Sequence, residues 1–150
     1  MKTIAVSNGD IQLSNGKIQF VQGGDKLVQD LTRWLEEPLA TGWTTPGFGS
    51  LLFSMIGTAQ NGGTINRVNS EIYRVLQLYQ GQQIINLKQA QNSAQLSLWN
   101  KNEIIKRIIS VNTTLQNNSV VSEVQLETLN NNPINITIAI DNNGVNIQNG

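Results

Sequence analysis

Residues 134–140 read Ile134-Asn135-Ile136-Thr137-Ile138-Ala139-Ile140. Isoleucine occupies every second position. A strand sends successive side chains to opposite faces, so this stretch reads as a β-strand with one buried face and one polar face. Asn130-Asn131-Asn132-Pro133 before it and Asp141-Asn142-Asn143-Gly144 after it are turn formers. The two-residue period continues outward. Val124, Leu126 and Thr128 alternate with Glu123, Gln125 and Glu127. Ile109, Val111, Thr113 and Leu115 alternate with Ser110, Asn112 and Thr114, and Asn117-Asn118 supplies the turn between these two runs. Val145 and Ile147 mark a short last strand. Strands joined by such short turns form an antiparallel meander.

Upstream the period changes. Asn102 reads as the cap of a short helical turn, Glu103-Ile104-Ile105-Lys106-Arg107. Thr64 opens a long helix whose stripe is Ile65, Val68, Ile72, Val75, Leu76 and Tyr79, with a break expected at Gly81. From Gln82 to Trp99 the reading is ambiguous: Leu87, Ala90, Ala94 and Leu98 fit a helical face, but Asn and Gln dominate. Gly57–Gly63 reads as a polar link. Ser50 caps a short apolar helix through Ile56. Before it, Asp25 caps a helix from Lys26 to about Glu37, with Leu27, Leu31, Trp34 and Leu35 on one face and Pro38 ending it. Residues 10–21 read as a β-hairpin through Asn15-Gly16, a pair suited to a tight turn because both tolerate positive φ. Structural turns are expected at Asn15, Gly16, Gly23, Pro46, Gly47 and Gly49. The order of hairpin, amphipathic helices and meander makes the chain α+β, one domain over 1–150, with one mixed sheet packed by helices.

Composition narrows the chemistry. Charged residues are 13% of the chain, against about 25% in typical domains. Asn and Gln together number 35. Net charge is zero, and only Lys106 and Arg107 are adjacent basic residues, so no basic stripe for nucleic acid is present. There is no Cys and no His, which removes thiolate chemistry and the commonest general base and metal ligand. No apolar run approaches the ~20 residues that cross a membrane. The start, Met1-Lys2-Thr3-Ile4-Ala5-Val6, does not read as a signal peptide, so synthesis and assembly in a cytoplasm are expected. No cofactor is expected.

A two-carboxylate hydrolase is the one enzyme type open to this inventory, with Asp25, Asp30, Glu36, Glu37, Glu71 and Glu103 as candidates. Nothing in the pattern sets two carboxylates across a cleft. Trp34, Trp43 and Trp99 read as core or interface residues. Glu103 and Arg107, four apart, read as an ordinary helix-surface pair or as an interface anchor.

One segment carries a family resemblance. Asp10-Ile11, the hairpin, Phe20-Val21-Gln22-Gly23-Gly24-Asp25, a helix containing Gln29, Trp34-Leu35, and Pro46-Gly47-Phe48-Gly49 follow one another in this order. The pattern resembles the baseplate wedge family of contractile phage tails once labelled "baseplate lysozyme", with relatives in type VI secretion and other contractile injection systems. The resemblance extends over most of the chain through short motifs. It departs at one point: the family's Glu-Pro-Arg motif is replaced here by Glu103-Ile104-Ile105-Lys106-Arg107, without the proline.

The resemblance implies a non-enzymatic structural subunit of the virion tail baseplate, in six copies per particle. Its expected partners are baseplate wedge proteins, the sheath protein, and hub or tube proteins. It implies that the subunit initiates sheath polymerisation by strand exchange. The interface residues expected on this reading are Glu103, Arg107, Ile134, Ile136, Ile138, Val145 and Ile147, at a β-edge in the C-terminal meander. The alternatives are a cell-wall-degrading glycosidase of the baseplate, and a tail adaptor or completion protein outside the baseplate.

Overall fold

Three short extended passes open the chain and pair in a ring. The computed structural model describes residues 1–150 apart from Asn8, Ala59, Gln60 and Ala94. The first pass holds β1 (Thr3–Ile4) and β2 (Val6–Ser7), the second β3 (Asp10–Ile11) and β4 (Leu13–Ser14), the third β5 (Lys17–Ile18) and β6 (Phe20–Val21). β2 pairs with β3, β4 with β5, and β6 with β1, all antiparallel. At the midpoint of each pass one amide closes the ring. Ala5 N–H donates to Gln19 O at 2.9 Å, Gln19 N–H to Gln12 O at 3.0 Å, and Gln12 N–H to Ala5 O at 2.9 Å. The expected hairpin is present as the second and third passes, turned by Asn15 (φ 51°) and Gly16 (φ 73°). Positive φ at both central residues is what a two-residue hairpin turn with the right twist requires. These strands pair among themselves and not with the C-terminal sheet, so each ladder stands apart from the meander.

Helix α1 (Gly24–Glu36) follows, burying Leu27, Leu31 and Leu35. Its cap differs from expectation: Gly23 holds the N-cap position, no side chain caps it, and Asp25 lies in the first turn. Glycine has no side chain to cap with, and its own N–H is taken by a residue from far along the chain, as described below. The helix ends before Pro38, whose preceding residue is extended. The loop after it returns to the helix end. Leu39 N–H donates to Ser50 O at 2.9 Å, and Ser50 N–H to Glu37 O at 2.8 Å. Gly49 makes the return possible. Its φ is 107°, and a Cβ there would sit 2.5 Å from Glu37 O. Pro46 lies in the turn closed by Phe48 N–H on Thr45 O at 3.0 Å. Gly47 is not among the positive-φ glycines, so the unusual backbone expected there is confined to Gly49. Ser50 Oγ accepts from Leu52 N–H, but Leu51 and not Ser50 holds the N-cap position of the 3₁₀ turn that follows, Leu52–Met55.

Helix α2 runs from Gly62 to Asn92, 31 residues and about 46 Å long. Asn61, not Thr64, caps it, accepting from Thr64 N–H at 3.1 Å. Val68, Ile72, Val75, Leu76 and Tyr79 are buried as the stripe predicts, and Ile65 falls outside it. The break expected at Gly81 is absent. A helical glycine costs only about 1 kcal/mol relative to alanine, and tertiary bonds hold both sides of this one. Gln80 donates to Ile105 O and Lys106 O, and Gln83 bonds Glu103 O and the Ile105 amide. Ala90 packs inward further along. Leu98 belongs to a separate 3₁₀ turn, Leu96–Leu98, and is exposed; Ala94 lies outside the described residues.

The meander comprises β7 (Ile105–Gln116), β8 (Ser119–Thr128), β9 (Pro133–Asp141) and β10 (Gly144–Asn149), in the spatial order β10-β9-β8-β7. Its inner face is the core. Val120, Val124 and Leu126 of β8 and Ile136, Ile138 and Ile140 of β9 pack with the leucines of α1 and the stripe of α2. The strict alternation holds in β8 and β9 but not in β7. Two irregularities, between Ile105 and Arg107 and between Ile108 and Ser110, each insert one residue opposite β8. Ile105, Ile108 and Val111 therefore face Thr128, Leu126 and Val124, and Ile109 is 47% exposed. A bulge breaks the period on which the sequence reading rested.

Glu71 joins α2 to the loop before the 3₁₀ turn. Its carboxylate accepts from Leu51 N–H at 2.7 Å and from Arg74 at 2.6 and 2.8 Å. Burial by itself would raise its pKa, but the bonds from Arg74 and Leu51 and the Arg74 charge outweigh this and hold the carboxyl below its ordinary range.

Two predictions follow from this packing. Gly81→Ala should stabilise the protein by about 0.5–1 kcal/mol in urea unfolding, because a Cβ there meets nothing within 4 Å. Glu71→Gln should cost about 1–3 kcal/mol at pH 7. The folded pKa of Glu71 is depressed, so its contribution exists above the unfolded carboxylate pKa and fades as pH falls through the folded one. The gap between wild type and variant should close in acid.

Candidate functional site

The sequence pairs Glu103 with Arg107, but the structure separates them. Asn100, not Asn102, caps a 3₁₀ turn at Lys101–Glu103, accepting from Asn102 N–H at 3.0 Å. Strand β7 then starts at Ile105, so no helical spacing joins the two residues. Glu103 is 3% exposed and points into the fold. Its carboxylate accepts from Gly23 N–H at 3.0 Å and from the Met1 ammonium at 3.0 and 3.2 Å. It satisfies an orphan amide beside the start of α1 from 80 residues away in sequence. Arg107 is 67% exposed and pairs with Glu127, which Lys106 also reaches. Those two cations hold the Glu127 carboxyl below its ordinary pKa.

The predicted β-edge residues also divide. β9 is hydrogen-bonded on both sides, to β8 and to β10, so it is not an edge. Ile136 and Ile138 are core residues, and Ile134 packs against the core. Ile136 and Ile138 cannot meet a partner while the sheet is intact, whereas Ile134 is half-buried and lies past the last β10 pair. Val145 and Ile147 lie on β10, which is an edge strand. Their side chains pack against the core while their backbones face outward.

The register shows which groups are open. Gly150 N–H donates to Asn135 O at 2.9 Å, extending the ladder by one pair. Bonded and non-bonded pairs alternate in an antiparallel ladder. The bonded pairs of β10 are therefore Gln148/Thr137, Asn146/Ala139 and Gly144/Asp141, and the N–H and C=O groups of Val145, Ile147 and Asn149 point away from β9. Asp141 Oδ1 accepts from the Asn143 and Gly144 amides at 2.7 and 3.1 Å and sets the turn that starts this strand.

β7, the opposite edge, is treated differently. Gln80 and Gln83 bond its first residues, and its two bulges twist that half away from regular pairing. β10 pairs without a bulge over its whole length. No Lys or Pro blunts it.

Two of the candidate carboxylates come together, each with an internal partner. A cleft of about 350 Å³ holds Asp30 and Glu103 beside Trp34, Tyr79 and Trp99. Asp30 is paired with Lys26 and accepts from Tyr79 Oη at 3.2 Å. Burial, then the Asp30 charge, raises the Tyr79 pKa and keeps the phenol protonated. Trp34 packs edge-on against Phe48 and Tyr79, whereas Trp43 is 94% exposed in the loop before Pro46. No helix among the described residues is long and apolar enough to cross a membrane. No protein-family model matches the chain, and comparisons with curated proteins and with solved structures returned no match.

The two members of the predicted pair should respond differently to truncation. Glu103→Ala leaves the Gly23 amide without its partner and should cost about 1–3 kcal/mol in denaturant unfolding. Arg107→Ala should leave the unfolding midpoint unchanged within error, because Lys106 retains the contact with Glu127.

Proposed function

We propose that this chain is a structural, non-catalytic subunit of a contractile-tail baseplate wedge, and that it starts sheath assembly by accepting an extended segment of the sheath protein along β10. The carrying observation is the outward row of backbone groups at Val145, Ile147 and Asn149 on a regular, unblunted edge strand. An edge of this kind offers main-chain hydrogen bonds to another chain and needs no surface charge. That suits a near-neutral protein rich in amides. The resemblance over Asp10–Gly49 supplies the setting of wedge and sheath. Further support for a scaffold over an enzyme is that Asp30, Glu71 and Glu103 are each held by internal partners.

The test is sheath assembly on particles whose copy of this protein carries one proline. Proline removes an N–H that β9 does not use, so the fold can tolerate it at these positions. Asn149→Pro, where the side chain is exposed, and Ile147→Pro should each leave baseplates assembled but bare of sheath in electron micrographs. Leu115→Pro, which removes an outward N–H on β7, serves as the control and should still carry sheath. Sheath on baseplates lacking this protein altogether would refute the initiator role. Loss of sheath with Leu115→Pro alone would move the contact to the other edge.

A further inference from the structure

The surface beside β10 has a chemistry that selects the segment accepted there. One stripe of α1, Asp25, Val28, Thr32 and Glu36, lines a groove of about 430 Å³ together with Val21 of the N-terminal ring and Ile147 and Asn149 of β10. A fifth strand would lie about 4.8 Å beyond β10. Residues paired across strands share a face, so its inward side chains would stand opposite Val145, Ile147 and Asn149 and pack against this stripe.

The stripe is apolar in the middle and acidic at both ends. Asp25 and Glu36 are eleven residues apart, about 16 Å along the helix, close to the span of five residues of strand. Asp25 lies toward the Asn149 end: its neighbour Gly24 abuts Ile134, and Asn149 pairs with Ile136 on the same strand. No Lys or Arg lines the groove. Among the described residues, the ion pairs involve other carboxylates, at Asp30, Glu71, Glu103 and Glu127. Partial desolvation raises the Glu36 pKa, and Arg33, on the next face of the helix, lines a separate cavity with it.

We infer that the incoming strand is basic at its ends: alternating apolar side chains face Val28 and Ile147, and flanking Lys or Arg side chains reach Asp25 and Glu36. This rests on the edge-addition reading above and adds the partner's pattern to it. A strand with acidic flanks would face two unpaired carboxylates and be rejected, which gives an otherwise sequence-tolerant edge its selectivity.

The experiment uses the full chain, ¹⁵N-labelled, titrated at low salt with two peptides, acetyl-KTVTVTK-amide and acetyl-ETVTVTE-amide. The lysine peptide should shift the amide resonances of Val145, Ile147 and Asn149 and bind about three- to tenfold more tightly than the glutamate peptide. The double substitution Asp25→Asn/Glu36→Gln should abolish that preference while leaving the β10 shifts. Equal binding of the two peptides at β10 would overturn the charge selection and leave edge addition standing. Shifts confined to other strands, or no shift with either peptide at millimolar concentration, would overturn edge addition and this inference with it.

Discussion

Every backbone N–H and C=O of a sheet must find a partner, and a four-stranded open sheet has two rows that its own strands do not satisfy. Most of what is distinctive in this molecule concerns those two rows. At β7 the helix α2 supplies side-chain amides. Gln83 both donates to Glu103 O and accepts from Ile105 N–H, and Gln80 donates to Ile105 O and Lys106 O. At β10 no side chain among the described residues bonds the outward backbone groups. The abundance of Asn and Gln, which reads from composition alone as mere polarity, thus has a structural use on one edge. On the other edge the same neutrality leaves a surface where main-chain bonding dominates.

The same bonds explain why α2 is long. Gln80 and Gln83 flank Gly81, and their contacts with the start of β7 exist only if the helix continues through the glycine. A local preference worth about 1 kcal/mol is outweighed by the two buried hydrogen bonds of Gln83, each contributing a comparable amount, with the more exposed bonds of Gln80 beside them. Glu103, just before β7, acts similarly at the other side of the fold. Its carboxylate ties the Gly23 amide beside α1 to the entrance of the meander. Glu103 is thus an internal joint, whereas Arg107, four residues on, belongs to a surface ion pair.

The N-terminal ring leaves most of its apolar side chains in solvent. Ile4, Val6, Ile11, Leu13, Ile18 and Phe20 are all exposed, because passes this short cannot enclose a core of their own. The ring is held instead by its three crossed amides and by Gln29 of α1, which accepts from Val6 N–H and donates to Ile4 O. Its position places Val21 at the wall of the groove beside β10, so the ring and the open edge share one surface.

What residue order alone determined were the features that depend on near neighbours. The two-residue period of Ile134–Ile140 specified a strand and its buried face, Asn15-Gly16 specified a tight turn, and the leucines of α1 and the stripe of α2 specified helices and their inner sides. Each follows from backbone geometry within a few residues. Tertiary structure decided the rest, for reasons that act across the chain. The bulges that turn Ile109 outward arise from pairing with β8. Continuity through Gly81 arises from contacts with β7, and the partner of Glu103 lies 80 residues away. The candidate site was legible in outline, as a β-edge near the end of the meander. Period two names the strands but not their neighbours, so only the folded sheet distinguishes Ile136 and Ile138, sealed inside, from Val145 and Ile147, whose backbone groups remain open.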